Sequence, residues 1–295
     1  MALDIHFVNV GKGSSTIIDH PSGRLSVVDI DDSRAISDLE KSLITILKGV
    51  SLTNPLDYLN ETFPNRTIFR FILTHPDMDH MSGIKQLFSK RTVCNFWDTT
   101  HNKVCDDWEG SPYDSEDWEF YQQLRDKKIP NITVLNNLRG ESNNYWLDDS
   151  IEILNPHPDL LNNAEKEDEY DHISHVLKIS HAGRSILICG DATTEALEHM
   201  FKDLGVDLSA NVLLAPGHGS KNHIHEDAIK DIGHKLTIAS VAEGVDYDYD
   251  FYKQFGPVLS TKHFGNIHLR IEDNGTINFT AQADKYSDGW YTINL

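Results

Sequence analysis

An apolar run, Ile68 to Leu73, is cut off at Thr74 and followed at once by His75, Pro76, Asp77, Met78, Asp79 and His80. The run is rich in β-branched and aromatic residues and reads as a buried strand. Pro76 has no N–H for a ladder, so a central strand cannot continue through it. The chain must leave the sheet with two imidazoles and two carboxylates inside six residues. On a loop at a strand's carboxyl end, these groups can turn toward one point and hold one or two divalent cations. Such a centre suits hydrolysis by metal-activated water. Asp79 also has a simpler use, which is to orient the adjacent imidazole.

Two later strand ends carry the same kind of residue. Ile188, Cys189 and Gly190 lead into Asp191, just before a helix expected over 193–204. Asp191 can bridge two cations, or it can cap that helix. His218 sits between Gly217 and Gly219 after another apolar run, with Ser220, Lys221 and His223 close behind. Those three are suited to hold a phosphate oxygen. His263 lies further on, as a candidate late ligand or proton donor.

His75, Asp77, Asp79 and His80 resemble the signature of the metallo-β-lactamase superfamily, H-x-H-x-D-H, with Asp77 in place of its second His. The glycine turn within Ile5 to Ile18, the strand end at Asp29, Gly190-Asp191 and His218-Gly219-Ser220 follow in that superfamily's order, from about residue 4 to about residue 280. Two departures are Ile30, where a small residue is usual, and Gly217, where a His is usual. The Asp77 variant, followed by Ser82 and Gly83, looks most like the hydrolase domain of competence-type DNA-uptake channel proteins.

The resemblance implies an α/β fold, a four-layer αββα sandwich occupying residues 1–295 as one domain. It implies two divalent metal ions, Mn²⁺ or Zn²⁺. His75, Asp77 and His172 would hold one ion, Asp79, His80 and His218 the other, and Asp191 would bridge them. His172 is preferred over His175 because its distance ahead of Asp191 is typical of the superfamily. Asp79 and Asp191 are the expected catalytic carboxylates. Exchanging an imidazole for Asp77 hardens the first position and shifts preference toward Mn²⁺ without excluding Zn²⁺.

Composition narrows the function. With 39% apolar and 24% charged residues, the chain has ample material for a core. Its 26 basic and 46 acidic residues leave a net charge of −20. Long duplex DNA is bound by neutralising phosphates with Lys and Arg, so an extended nucleic-acid track is disfavoured while one phosphodiester at a metal centre is not. Three cysteines, Cys94, Cys105 and Cys189, fit a reducing cytoplasm better than a disulfide framework. The N-terminus has no signal-peptide pattern and no window is apolar enough for a membrane span, so no membrane association is expected.

Strands are expected near 4–10, 14–18, 25–30, 68–74, 132–135, 151–154, 174–179, 185–189, 211–215, 236–241, 266–271 and 276–280. Helices are expected near 33–49, 82–90, 115–127, 193–204 and 224–233. Asp32 or Ser33 would cap the first helix, whose stripe of Ile36, Leu39, Leu43 and Leu47 reads as a core face. Short glycine turns between the early strands point to hairpins. Residues 49–66 read as a loop, and the acidic runs 165–171 and 246–250 as solvated loops. Residues 97–148 hold four of the five tryptophans and read as an insertion. It could be a lid over the site, a protein-partner surface, or a small satellite core.

The expected function is therefore metal-dependent hydrolysis of a phosphodiester, with short or single-stranded nucleic acid as substrate. The alternatives are a small-molecule hydrolase acting on a lactone, amide, thioester or cyclic nucleotide, and a metal-binding component that needs a partner.

Overall fold

The computed structural model describes residues 1–113, 115–241 and 247–293. In chain order its strands are β1 (Leu3–Phe7), β2 (Thr16–Asp19), β3 (Leu25–Val28), β4 (Ile68–Ile72), β5 (Val93–Asp98), β6 (Thr133–Asn136), β7 (Ile151–Asn155) and β8 (Val176–His181). They continue with β9 (Arg184–Ile188), β10 (Val212–Leu214), β11 (Leu236–Ala239), β12 (Val258–Ser260), β13 (Ile267–Ile271), β14 (Ile277–Ala281) and β15 (Tyr291–Ile293). One sheet has the order β15-β14-β13-β1-β2-β3-β4-β5-β6, and the other β12-β11-β10-β9-β8-β7.

Three apolar cores separate four layers. Ile5, Phe7, Ile72 and Trp97 of the first sheet meet Ile153, Leu177, Ile188 and Ile238 of the second, all fully buried. The outer face of the first sheet packs Val27 and Phe71 against Leu59, Leu87 and Tyr121 from helices. The outer face of the second packs Leu187 and Leu213 against Leu160, Leu197 and Ile229. Central strands covered on both faces explain the near-continuous apolar runs in the sequence.

β1, β2 and β3 form successive antiparallel hairpins, as the glycine turns imply. From β3 to β6 the first sheet is parallel, and so is the second from β9 to β12. Parallel strands place their carboxyl ends along one edge, where α/β folds gather ligands. His75, Asp191 and His218 lie just beyond β4, β9 and β10.

Several sequence readings change. Residues 49–66 are not a loop: Pro55–Thr62 is a helix capped by Asn54, with Leu56 and Leu59 buried. Pro55 occupies its first turn, where a missing N–H costs nothing. The preceding helix starts at Asp38 and is capped by Ser37 in a capping box with Glu40, not by Asp32 or Ser33. Ile36 of its expected core stripe is buried, but Leu39, Leu43 and Leu47 face solvent. The acidic run 165–171 ends the helix Pro158–Glu167 and enters a 3₁₀ turn, Tyr170–Ile173, instead of a loop. Asp246, at the head of the second acidic run, lies outside the described residues.

The segment 97–148 supplies structure to the first sheet. It contains the end of β5, the helix Ser115–Arg125 and all of β6. Trp97 and Trp146 meet edge to face, 5.2 Å apart, between the sheets. Trp118 and Tyr121 pack under the first sheet. The aromatic clustering is thus largely core packing.

Candidate metal centre

The loop after β4 aims its side chains inward because its backbone is held on both sides. His175 N–H donates to Thr74 O, and Ile30 N–H donates to His80 O. The glycine turn after β1 meets the same loop: Ser14 N–H donates to Asp79 O at 3.3 Å. Gly13 N–H donates to Asp31 Oδ2 at 2.9 Å. A Cβ on Gly13 would lie 1.9 Å from Asp79 O, so only glycine permits this approach.

Two groups of ligand atoms result. His75 Nε2 lies 3.3 Å from Asp171 Oδ1 and 4.0 Å from Asp77 Oδ1. Asp79 Oδ2 lies 4.0 Å from His80 Nε2 and 3.9 Å from His218 Nε2. Asp191 lies against the second group, with Oδ1 3.4 Å from His80 Nε2 and Oδ2 3.4 Å from His218 Nε2. His75, His80 and Asp191 also form a three-ligand group.

Both imidazoles of the second group are pre-aimed. His80 Nδ1 lies 2.8 Å from Asp29 Oδ2, and His218 Nδ1 lies 2.9 Å from Ser240 O. Donating Nδ1–H to those acceptors leaves each Nε2 as the coordinating atom. Both Nε2 atoms are buried without a hydrogen-bond partner. Buried polar atoms normally find one. Three imidazoles and four carboxylates around such orphaned atoms fit divalent cations, with oxygen-rich coordination favouring a harder ion such as Mn²⁺ while admitting Zn²⁺.

The electrostatics report the same crowding. Burial pushes the Asp191 carboxyl up, against the pull of His218 and His80. Burial also raises Asp77, against Lys103. Burial opposes a charge on His80, yet Asp191, Asp29 and Asp79 hold its imidazole well above the ordinary range. Burial would raise Asp171, but a hydrogen bond with His223 and the neighbouring His75 hold it at about 2.

The structure brings His75, Asp77, Asp79, His80, Asp191 and His218 together but places Asp171 where His172 was expected. His172 Nδ1 lies 2.7 Å from Thr193 Oγ1, and Nε2 lies 3.3 Å from Glu167 and 3.5 Å from Glu195. In the 3₁₀ turn, neighbouring side chains point in different directions, so a shift of one residue changes which of them faces His75. His175 Nδ1 lies 3.0 Å from Leu73 O and its Nε2 is buried without a partner, but its ring packs beside Trp97, 6.4 Å away, and it is in neither of the two ligand groups described above.

His223 borders the centre, 3.4 Å from Asp171 Oδ2. Its ring occupies the space a Cβ on Gly217 would need. Ser220 Oγ accepts the Asn222 N–H, and Lys221 is exposed. His263 Nδ1 lies 2.9 Å from Ser260 Oγ and belongs to neither ligand group. Asp29, Asp171 and Lys103 contact the candidate ligands His80, His75 and Asp77, and none of the three is among the site residues expected from the sequence. Asp29 was visible as a strand-end carboxylate. Asp171 adjoined the chosen histidine, and Lys103 had no signal.

The fold has solved counterparts. The metallo-β-lactamase fold protein YhfI from Bacillus subtilis matches over 88% of this chain and 96% of its own, with a TM-score of 0.50 and 12% identity. Igni18, a metallo hydrolase from Ignicoccus hospitalis, matches over 90% and 98%, with a TM-score of 0.52 and 15% identity. This chain has the metallo-β-lactamase fold. A β-hydroxylase, CmlA, matches over 91% of this chain but 54% of its own, at a TM-score of 0.52 and 12% identity. No protein-family model matches the chain, and no curated protein matches it in sequence. The comparisons carry the metallo-β-lactamase fold and not the narrower resemblance to DNA-uptake channel proteins. Among the described residues, no helix is long and apolar enough to cross a membrane.

Proposed function

We propose that this protein is a metal-dependent hydrolase that cleaves phosphodiesters, with short or single-stranded nucleic acid as its substrate class. One observation carries the reading. His75, Asp77 and Asp171 form one group of ligand atoms, Asp79, His80 and His218 a second, and His75, His80 and Asp191 a third that links them, with two buried imidazole nitrogens left for a cation.

Bound divalent ions would supply Lewis acidity, polarising the scissile bond and lowering the pKa of an attacking water. The chain's own groups do the rest. Asp29 and Ser240 hold the two imidazoles in their tautomers. Asp191, beside both His80 and His218, is the carboxylate that would be shared between ions. Asp79, a third exposed at its side chain, is placed to take a proton from an incoming water. His223 lies beside Asp171 at the rim, where a phosphoryl oxygen would arrive.

The net charge of −20 penalises phosphates held away from the centre, so binding should be local. The same charge leaves a second reading open, a hydrolase of neutral small molecules such as lactones. A screen with added Mn²⁺ or Zn²⁺ separates them, using single-stranded DNA, duplex DNA, RNA, cyclic dinucleotides and a generic lactone. Phosphodiester cleavage is the expected result. Lactone turnover without phosphodiester cleavage would overturn the substrate class, and absence of metal binding would overturn the enzyme reading.

A further inference from the structure

We infer that Lys103 is the residue that binds the anionic group of the substrate beside the metal centre; the inference rests on the phosphodiester reading above. The loop carrying it follows β5 and is fastened by a buried chain of hydrogen bonds. Lys103 N–H donates to His101 Nδ1 at 3.0 Å, which leaves the proton on His101 Nε2. That nitrogen lies 2.6 Å from the Tyr121 hydroxyl, and the hydroxyl donates to Asp98 Oδ1 at 2.9 Å. Arg125 closes the chain, pairing with Asp98 at 3.1 Å and donating to His101 O at 2.6 Å. Asn102 is tied separately, its Oδ1 accepting from the Tyr170 hydroxyl at 2.8 Å. Asp98, His101 and Tyr121 are all buried.

This anchoring delivers one flexible cation to the mouth of the site. Lys103 Nζ pairs with Asp77 Oδ1. It also lies 5.2 Å from the ring centre of Tyr170, the residue before Asp171. The Lys103 side chain is 24% exposed and its ammonium meets Asp77, so it borders both the centre and the solvent.

Charge balance gives this cation its work. Asp77, Asp79, Asp171 and Asp191 bring four negative charges to the centre. Two divalent ions would be balanced by them and leave no surplus to attract an anion. The whole chain adds repulsion, at −20. A cation on Asp77 would also loosen that carboxylate's hold on Lys103, leaving the ammonium to pair with a phosphoryl oxygen. Lys103 thus offsets the centre's lack of net positive charge.

The test uses the full chain loaded with Mn²⁺ and three proteins: wild type, Lys103→Ala and Lys103→Arg. Inorganic phosphate binding is measured by calorimetry, metal content by elemental analysis, and hydrolysis with bis(p-nitrophenyl) phosphate. Lys103→Ala should weaken phosphate binding about tenfold or more. It should raise KM more than it lowers kcat, with metal content unchanged. Lys103→Arg should restore phosphate binding to within about threefold of wild type. If Lys103→Ala binds phosphate like wild type, or loses its metal, the inference is wrong while the phosphodiesterase reading stands on wild-type activity. If metal-loaded wild type neither binds phosphate nor cleaves the diester, that reading fails and the inference with it.

Discussion

Asp29 Oδ2 lies 2.8 Å from His80 Nδ1, although the two are 51 residues apart in the chain. The same carboxylate holds the next loop residue inward of the strand: Thr74 N–H donates to Oδ1 at 2.7 Å and Thr74 Oγ1–H to Oδ2 at 2.8 Å. One buried Asp therefore sets both the path of the ligand loop and the tautomer of a ligand. Asp29→Asn keeps the shape and tolerates the positive φ of 58° at this position, but it weakens the hold on the Nδ1 proton. Divalent-metal affinity should fall about 10- to 100-fold. Mn²⁺ titration followed by calorimetry checks this, and unchanged affinity would show that Asp29 only shapes the loop.

Asp171→Ala should lower metal content and hydrolysis, whereas His172→Ala should leave both near wild type. Asp171 faces His75 at 3.3 Å, while His172 is engaged by Thr193, Glu167 and Glu195. Elemental analysis of the two variants after equal metal loading decides the matter. Metal loss in His172→Ala alone would restore the histidine as ligand.

Gly13→Ala should damage the centre from outside the ligand set. Its Cβ would fall 1.9 Å from Asp79 O and 2.7 Å from Asp31 Oδ2. Forced displacement of packed groups typically costs about 1–3 kcal/mol, and here the displaced group is the backbone of a ligand. The expected result is a lower Tm together with weaker metal binding. A lower Tm with wild-type metal affinity would show that the loop gives way without moving Asp79.

Acid should destabilise the fold through histidines far from the centre. Burial, seconded by the Arg70 guanidinium, holds His20 at about 3. Burial, seconded by His268, holds His6 at about 3 as well. Both are neutral when folded, and both take up a proton on unfolding below the ordinary histidine range. Their stabilisation is complete above about pH 6.5 and is lost as the pH falls from there toward 3. Each should contribute a loss of about 1.4 kcal/mol between pH 7.5 and 5.5 by that linkage. Urea denaturation of metal-free wild type and His20→Gln at both pH values measures the difference. The pH-dependent loss should be smaller in the variant by about that amount, and equal losses would contradict the assignment.

The clustering of the candidate ligands was legible in the sequence because its residues are local. His75, Asp77, Asp79 and His80 sit within six positions behind a strand and a proline, and that geometry follows from backbone rules alone. The twelve expected strands are all present: those covered on both faces leave continuous apolar runs, while β13 and β14 alternate buried and part-exposed residues. Three strands, β5, β12 and β15, were not among those expected; in β5, Cys94 and Asn95 interrupt the apolar pattern. The Asn95 side chain donates to Phe69 O at 2.8 Å, a contact that exists only once the strands are paired.

Strand ends rich in His and Asp are readable from residues alone, because period and strand-breaking residues are properties of short segments. Which side chains come to face one another depends on packing between distant segments. Asp171, and not His172, faces His75 because a tight turn changes side-chain direction from one residue to the next. Lys103 reaches Asp77 because Asp98, Tyr121 and Arg125 hold its loop from a strand and a helix elsewhere in the chain. Leu39, Leu43 and Leu47 have helical core spacing yet remain exposed. Spacing sets which residues share a face, and only packing sets what that face meets.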